Sequence, residues 1–473
     1  MRTFQDYEKA IADNVPVEDF IYGAILDYQS SKEYKTAKIA DDYSKQRNTT
    51  IMEYEKMLYT VTGEAIPDTI SANHKLASNF YNKFNVQECQ YLLSNGATFT
   101  KDDTKDKLGT GKKAFDTQLQ KVGKKALTHG VAYGFYNLDH IDVFSALEFV
   151  PLYDEENGAI KAGIRFWQID DSKPLRMTFF EMDGYTEYEK DPKKERTEIL
   201  KEKRAYVLNY RESAADGKEI YGGENYNGFP VVPLWGNGDH LCNIEAWRRK
   251  IDCYDLIASG MANDVDDASL IYWVVENAGG MDDTDLAKFI QRIKQLHAVT
   301  LDDDGARATA HTQDAPVQAR ETYLAMLKND IMEDAMALDT NAIARGNTVA
   351  TAIRAAYEPL NNKTDDFEYC VIEFVQGILE LAGIDDDVTF KRSTIINQSE
   401  ETQMVLSAAQ LLDKETVLNH LPFLSPDEIP AILERTQEEE MARNEMNLQM
   451  AAAMDGIKNG NNPEENPEEE SEE

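Results

Sequence analysis

Positive charge is scarce in this chain of 473 residues: 49 lysines and arginines face 86 aspartates and glutamates, a net of −37. Such a chain repels polyanions overall, which disfavours a tight, salt-sensitive hold on nucleic acid through counterion release. A protein that surrounds DNA without gripping it stays compatible with that balance. Cysteine is scarcer still. Cys89, Cys242, Cys253 and Cys370 form no C-x-x-C pair, so neither a zinc site nor a disulfide framework is signalled. Isolated thiols of this kind suit a reducing compartment. None of the seven histidines stands in a nucleophile or metal-ligand spacing, and neither G-x-S-x-G nor H-E-x-x-H occurs. Long apolar runs are missing as well. No 18 consecutive apolar residues exist, and Met1-Arg-Thr-Phe-Gln-Asp-Tyr-Glu has no hydrophobic signal core. The expectation is a soluble, non-secreted protein with no membrane partner, in which the sequons at Asn48 and Asn397 carry no meaning.

Two near-motifs fail on inspection. Gly109-Thr-Gly-Lys-Lys113 resembles a phosphate-binding loop, but Asp106 stands where the first glycine belongs and Lys113 where Ser or Thr must hold magnesium. A solvated basic helix is the better reading of Lys101–Lys125. Asp264, Asp266 and Asp267, and the run Asp302-Asp-Asp304-Gly305, suggest a divalent cation. A calcium loop would need a closing glutamate, and His311 and Thr312 stand in that region. The sequence therefore assigns no catalytic residue, no metal ligand and no cofactor.

What the chain does have is 42 % hydrophobic residues, enough for real cores, arranged in recognisable periods. Residues 1–60 are polar and tyrosine-rich and read as a peripheral arm. Ile70, Leu76, Phe80, Phe84, Tyr91 and Leu92 lie on a helical pattern ending near Asn95-Gly96. From Tyr133 to Leu234 the texture is β. Short aromatic or branched runs (164–167, 177–180, 185–188, 206–210) without long intervening helices predict antiparallel meanders. Ile244, Trp247, Ile251, Tyr254, Ala258, Met261 and Val265 then alternate spacings of three and four, a heptad seam that suits either a neighbouring subunit or an intramolecular bundle. Residues 269–275 predict a strand, 286–296 a short helix, and Asp304-Gly305 a hairpin turn. Leu324, Leu327, Ile331, Ala335 and Leu338 mark one stripe of a helix over 314–339. Arg345, Gly346, Asn347 and Thr348 fall in a polar break at 340–348. Helical composition resumes at 349 with Arg354 near its start, is interrupted by Pro359, is restored by Phe367, Val371, Phe374, Ile378 and Leu381, and closes at Gly383, a residue suited to a left-handed C′ position. Ser425-Pro-Asp-Glu428 is a further helix start. The acidic tail is expected to be disordered.

Four stretches, taken in order, resemble tailed-bacteriophage portal proteins of the type found in siphophages of Gram-positive hosts. They are Pro67–Phe84 running on to Gln90-Tyr-Leu-Leu-Ser-Asn-Gly96; Phe149-Val-Pro-Leu-Tyr-Asp154 followed by Ile164–Trp167; Gly228-Phe-Pro-Val-Val-Pro233 leading to Ile251-Asp-Cys-Tyr-Asp255; and Gly346-Asn-Thr-Val-Ala-Thr-Ala-Ile353. Together they span most of residues 60–420. The sequence departs from the family pattern at Cys89 and Gln90, at Asn95 before Gly96, and at Asn347-Thr348, where Ser-Gly is usual.

The resemblance implies an α+β, mainly helical subunit. Its parts would be an N-terminal arm and antiparallel β wing (1–240), a first stem helix (241–269), a small α/β clip (270–313) and a second stem helix (314–339). A tunnel loop (340–348), a long kinked helix with wing (349–394), a helical crown (395–455) and a disordered acidic tail (456–473) would follow. It further implies a non-enzymatic dodecameric ring at the capsid vertex of the virion, assembled in the host cytoplasm, through which double-stranded DNA is packaged and ejected. Its partners would be the terminase large subunit, a head-completion or adaptor protein, and the major capsid and scaffolding proteins. Arg345, Gly346, Asn347, Thr348 and Arg354 would face the channel and Pro359 would bend the long helix. Ile244, Trp247, Ile251, Tyr254, Met261, Leu324, Leu327 and Ile331 would form the stem interface. The competing reading is a non-enzymatic helical scaffold or adaptor of a large assembly, in which the same heptads bind other partners.

Overall fold

The computed structural model describes residues 1–59, 62–69, 71–194, 196–213, 219–268, 272–276, 284, 307–311, 317–340, 350–393, 402, 405–409, 411–421, 424 and 429–458. Its fold is mixed α+β, and every strand pairing in it is antiparallel. Contacts divide the chain into two units, Met1–Arg345 with Ala356–Ser393, and Gly346–Ala355 with Thr394–Glu473.

The first unit opens with α1 (Phe4–Ala12), α2 (Val17–Ser30), α3 (Lys32–Ser44) and α4 (Thr49–Met52). Thr3 and Asp6 form a reciprocal capping box at the head of α1, and the Ser31 side chain caps α3. These helices correct the reading of residues 1–60 as a peripheral arm. Tyr7, Phe20, Ile21, Ile25 and Tyr28 are buried against Val150, Ile164, Met177 and Phe179 of a β-sheet. Their spacing is helical, but tyrosine and charge dilute it too far for the period to stand out.

That sheet is a five-stranded meander, β6 (Phe149–Tyr153), β7 (Ile160–Trp167), β8 (Leu175–Glu181), β9 (Gly184–Lys190) and β10 (Glu198–Arg204), in sequence order. A second sheet places β4 (Val131–Asn137) between β5 (His140–Ser145) and β13 (Val231–Trp235). The two share an aromatic core of Tyr133, Phe144, Phe149, Phe180 and Tyr206. Two-stranded pairs complete the β structure: β1 (Met57–Tyr59) with β2 (Ala65–Pro67), β3 (Ala97–Phe99) with β16 (Val388–Phe390), β11 (Val207–Ser213) with β12 (Glu219–Glu224), and β14 (Tyr272–Glu276) with β15 (Arg307–His311). The strand expected at 269–275 is thus β14. The hairpin turn at 304–305 and the helix at 286–296 lie outside the described residues.

The expected helix over 70–92 exists only as α5 (Phe80–Leu93); residues 71–79 run as irregular chain. After α6 (Thr104–Leu108) the false phosphate loop folds as a single 3-10 turn, Gly111–Lys113, leading into α7 (Phe115–His129). Lys113 pairs with Asp142.

The main core of this unit joins α5, α7 and the second sheet to α10 (Ala350–Ala382), whose Phe367, Val371, Phe374 and Ile378 are buried as their periodicity predicts. Gly134 on β4 permits that approach: a Cβ there would lie 2.5 Å from the Phe374 ring. The helix runs through Pro359 without a break. It ends in a Schellman motif, with Gly383 at φ 67°, Gly383 N–H donating to Glu380 O and Ile384 N–H to Leu379 O.

In the second unit, α11 (Lys414–Asn419) is capped by the Asp413 side chain, and Lys414 pairs with Glu440 of α12 (Ile429–Lys458). The tail boundary expected at 456 gives way to a helix that continues to Lys458. The start signal at 425–428 and residues 459–473 lie outside the described residues.

Candidate functional site

Two long helices carry the residues singled out from the sequence, α8 (Ile244–Ala268) and α9 (Val317–Asp334). They pack antiparallel. Lys250 pairs with Asp334 at one end and Asp264 with Arg320 at the other, fourteen residues further along each helix, a span of roughly 21 Å at helical rise. Gly260 lies where Arg320 crosses, its missing Cβ 4.0 Å from the Arg320 Nη1. α9 stops at Asp334, short of the expected 339. Ala337 N–H bonds to Met332 O across a turn in which Met336 is left-handed at φ 49°, while Leu338 stays buried beyond the helix.

The heptad seam divides in two. Ile244, Trp247 and Ile251 are buried in this chain with Tyr81, Phe84, Ile331 and Met332, and Trp247 meets the Tyr81 and Phe84 rings edge-on at 5.8 and 5.6 Å. Leu327 is also buried. These five residues, expected on an interface between subunits, are already covered within the subunit. The reason is that α3 and α5 complete a local bundle that the heptad pattern alone does not reveal. Tyr254, Met261 and Leu324 are half-buried, and Tyr254 packs edge-on with Phe80 at 5.1 Å. Apolar surface remains at Val265, Tyr323 and Met326, all exposed, and sequence periodicity did not single out the last two.

A second face of α8 holds a polar ladder that sequence reading missed. Asp255, Ser259 and Asn263, four residues apart, are all buried. Asp255 Oδ1 accepts from Ser78 N–H at 2.9 Å, Ser259 Oγ from Leu76 N–H at 2.9 Å, and Asn263 Oδ1 from His74 N–H at 2.6 Å. Two residues of extended chain advance about 6.6 Å and four of helix about 6 Å, so alternate amides of 74–78 meet successive turns of α8. The other Asp255 oxygen accepts from Asn48 Nδ2, while Thr50 Oγ1 and Tyr43 Oη donate to Asp252. Burial, reinforced by the charge of Asp252, holds the Asp255 carboxyl above the ordinary carboxylate range, against the lowering effect of its hydrogen bonds. The only sequence signal was the Ile251-Asp-Cys-Tyr-Asp255 stretch, quoted as a likeness and not as hydrogen-bonding chemistry.

Glu88 of α5 is fully buried beside Lys363 of α10, whose ammonium also lies 4.7 Å from the Trp247 ring centroid. Burial pushes the Glu88 carboxyl up, and Lys363 pulls it back down. Arg345, Gly346, Asn347 and Thr348 lie outside the described residues; Arg354 and Pro359 are exposed on α10. Among the described residues no group of three or more His, Cys, Asp or Glu side chains is arranged to hold a metal ion, and no helix is long and apolar enough to cross a membrane.

A family model described as phage portal protein, SPP1 Gp6-like, matches residues 24–445. The portal protein of Clostridium phage phiCD119 is 22 % identical over 401 residues, covering 75 % of this chain and 82 % of that protein. The portal protein of Bacillus phage SPP1 is 22 % identical over 452 residues, covering 88 % and 83 %. Among solved structures, a chain from the neck of a native gene transfer agent particle, computed with C12 symmetry, superposes with a TM-score of 0.43 at 11 % identity, covering 73 % of this chain and 90 % of that one.

Proposed function

The chain belongs to the SPP1 Gp6-like family of phage portal proteins, and from that premise we propose that it assembles as a dodecameric ring around a channel for double-stranded DNA. Portal proteins are non-enzymatic components of the virion, so no chemistry is sought in the polar clusters. In this reading α8 and α9 are the stem helices, the segment 270–313 with its β14–β15 pair is the clip, and 340–348 is the loop that reaches the channel. The β-rich part is the wing, α10 the beam beneath it, and 395–455 the crown. Terminase large subunit, a head-completion or adaptor protein, and the major capsid and scaffolding proteins are the partners of the assembled ring.

The observation that carries the reading is the extent of the family match, which takes in both long helices and both sheets. Charge supports it. Each phosphate neutralised adds affinity that translocation must break, and a chain of net −37 keeps the duplex mobile. Because Ile244, Trp247, Ile251, Leu327 and Ile331 are covered, neighbouring stems meet through the outer apolar residues Val265, Tyr323 and Met326 in a heterologous, closing contact. Negative-stain microscopy with mass photometry of the purified full chain tests this. Closed rings are expected; monomers and dimers alone at micromolar concentration would favour the adaptor reading.

A further inference from the structure

Two cavities of the first unit meet at His129. One, of about 740 Å³, is walled by apolar and aromatic groups including Tyr133, Tyr153, Phe229 and Trp235, with Cys242 among them. The other, of about 490 Å³, is lined by Lys113, Lys121, Lys124 and Lys125 together with Asp41 and Asp142. Lys113 is taken up by Asp142 and Lys125 by Glu148. Lys121 and Lys124 are exposed and have no acidic partner among the described residues. The result is a pocket with surplus positive charge in a chain that is strongly acidic elsewhere. His129 is only 9 % exposed, yet neither ring nitrogen is hydrogen-bonded, and Nε2 stays 3.5 Å from Asp41 Oδ1.

The same unit carries an element of opposite shape and charge. Among the described residues β1 and β2 pair only with each other, and Met57, Leu58, Tyr59 and Ile66 are all exposed, Tyr59 at 76 %. Glu53 and Glu55, just before β1, are exposed too. A two-stranded ribbon is marginal in water on its own, so four exposed apolar side chains on one such ribbon mark a contact surface.

Resting on the ring reading above, we propose that the β1–β2 hairpin of one copy seats in the double cavity of the next copy. Its apolar side chains fill the aromatic half, and Glu53 and Glu55 face Lys121 and Lys124. Convex and concave patches on different parts of one chain make a heterologous contact, the type that builds a ring and not an isolated dimer. The acidic composition makes carboxylates of a second copy the natural anion for these lysines. A DNA duplex, roughly 20 Å across at one charge per 1.7 Å of axis, cannot enter a cavity of this size and meets only its rim.

The test uses the full chain with Tyr59→Cys, treated with diamide, followed by non-reducing electrophoresis and microscopy of the same sample. The expected result is rings with a ladder of covalent oligomers through Cys242 of the neighbour, abolished in Tyr59→Cys/Cys242→Ser. Lys121→Glu/Lys124→Glu should cut the ring fraction at least tenfold, and adding Glu53→Lys/Glu55→Lys should restore it. Rings with no ladder, a ladder that survives Cys242→Ser, or charge reversals without effect on the ring fraction would overturn the hairpin contact while leaving the ring reading intact. A parent chain that forms no rings overturns both.

Discussion

Lys363 Nζ lies 2.5 Å from Glu88 Oε2 in the interior of the first unit, the carboxylate 2 % exposed. A buried pair of this kind costs more when one partner is lost than the pair itself contributes, because the survivor stays desolvated. Lys363→Met is therefore expected to cost about 3–5 kcal/mol, and the double variant Glu88→Leu/Lys363→Met to recover most of it. Urea unfolding of the two variants beside the parent checks the ranking. Equal losses in the single and double variants would mean the pair is not the source.

Asp255 predicts a pH dependence. Its folded carboxyl is held above its unfolded value, so between the two the native state binds the extra proton. That contribution is fully present below the unfolded value near 3.9 and is lost as pH rises through the folded value. Asp255→Asn removes the titration. The difference in stability between parent and variant should then shift toward the variant as pH climbs from about 4. Thermal melts at a series of pH values rising from about 4, the ordinary carboxylate value, give the sign directly; a constant difference would show that Asp255 does not titrate above it.

The ladder beneath Asp255 gives a separate expectation. Ser259→Ala and Asn263→Ala each remove one acceptor from a backbone amide of 74–78, at about 1 kcal/mol apiece. Because both hold one segment, the double variant should fall short of their sum. Hydrogen exchange at the His74 and Leu76 amides should accelerate locally in each variant.

Gly134→Ala places a methyl in the Phe374 ring, with overpacking worth roughly 1–3 kcal/mol. Phe374→Leu alone is also destabilising, since it opens a cavity. The combination should be milder than the two changes added. Thermal melts of all three proteins decide it.

Much of this architecture was legible wherever periodicity was clean. The seam from Ile244 gave α8 almost to the residue, the Phe367–Ile378 stripe gave the buried face of α10, and Gly383 gave its end. The alternating aromatic runs gave β7, β8 and β9. What escaped depends on partners distant in sequence. The apolar spacing from Ile70 through Leu76 suggests a helix, but the amides of His74, Leu76 and Ser78 are claimed by Asn263, Ser259 and Asp255, and the helix starts only at Phe80. The heptad seam could not say whether its partner lay in the same chain or the next. Tyr81, Phe84 and Ile331 settle that for its first half, and only contacts across some 80 to 170 residues of sequence could have revealed it.

The break at 340–348 yields the sharpest functional test. Its sequence, Thr340-Asn-Ala-Ile-Ala-Arg-Gly-Asn-Thr348, holds one cation; under the proposed function it is the loop that touches DNA transiently, with assembly left to surfaces other than the covered faces of α8 and α9. Deleting 341–347 should therefore leave ring formation unchanged by microscopy while lowering packaged DNA, measured as nuclease-protected genome per particle, by roughly tenfold or more. Arg345→Ala alone should have a smaller effect, because a single phosphate contact changes the affinity for DNA by one step of salt dependence. Loss of rings in the deletion would instead place this segment inside the contact between neighbouring subunits.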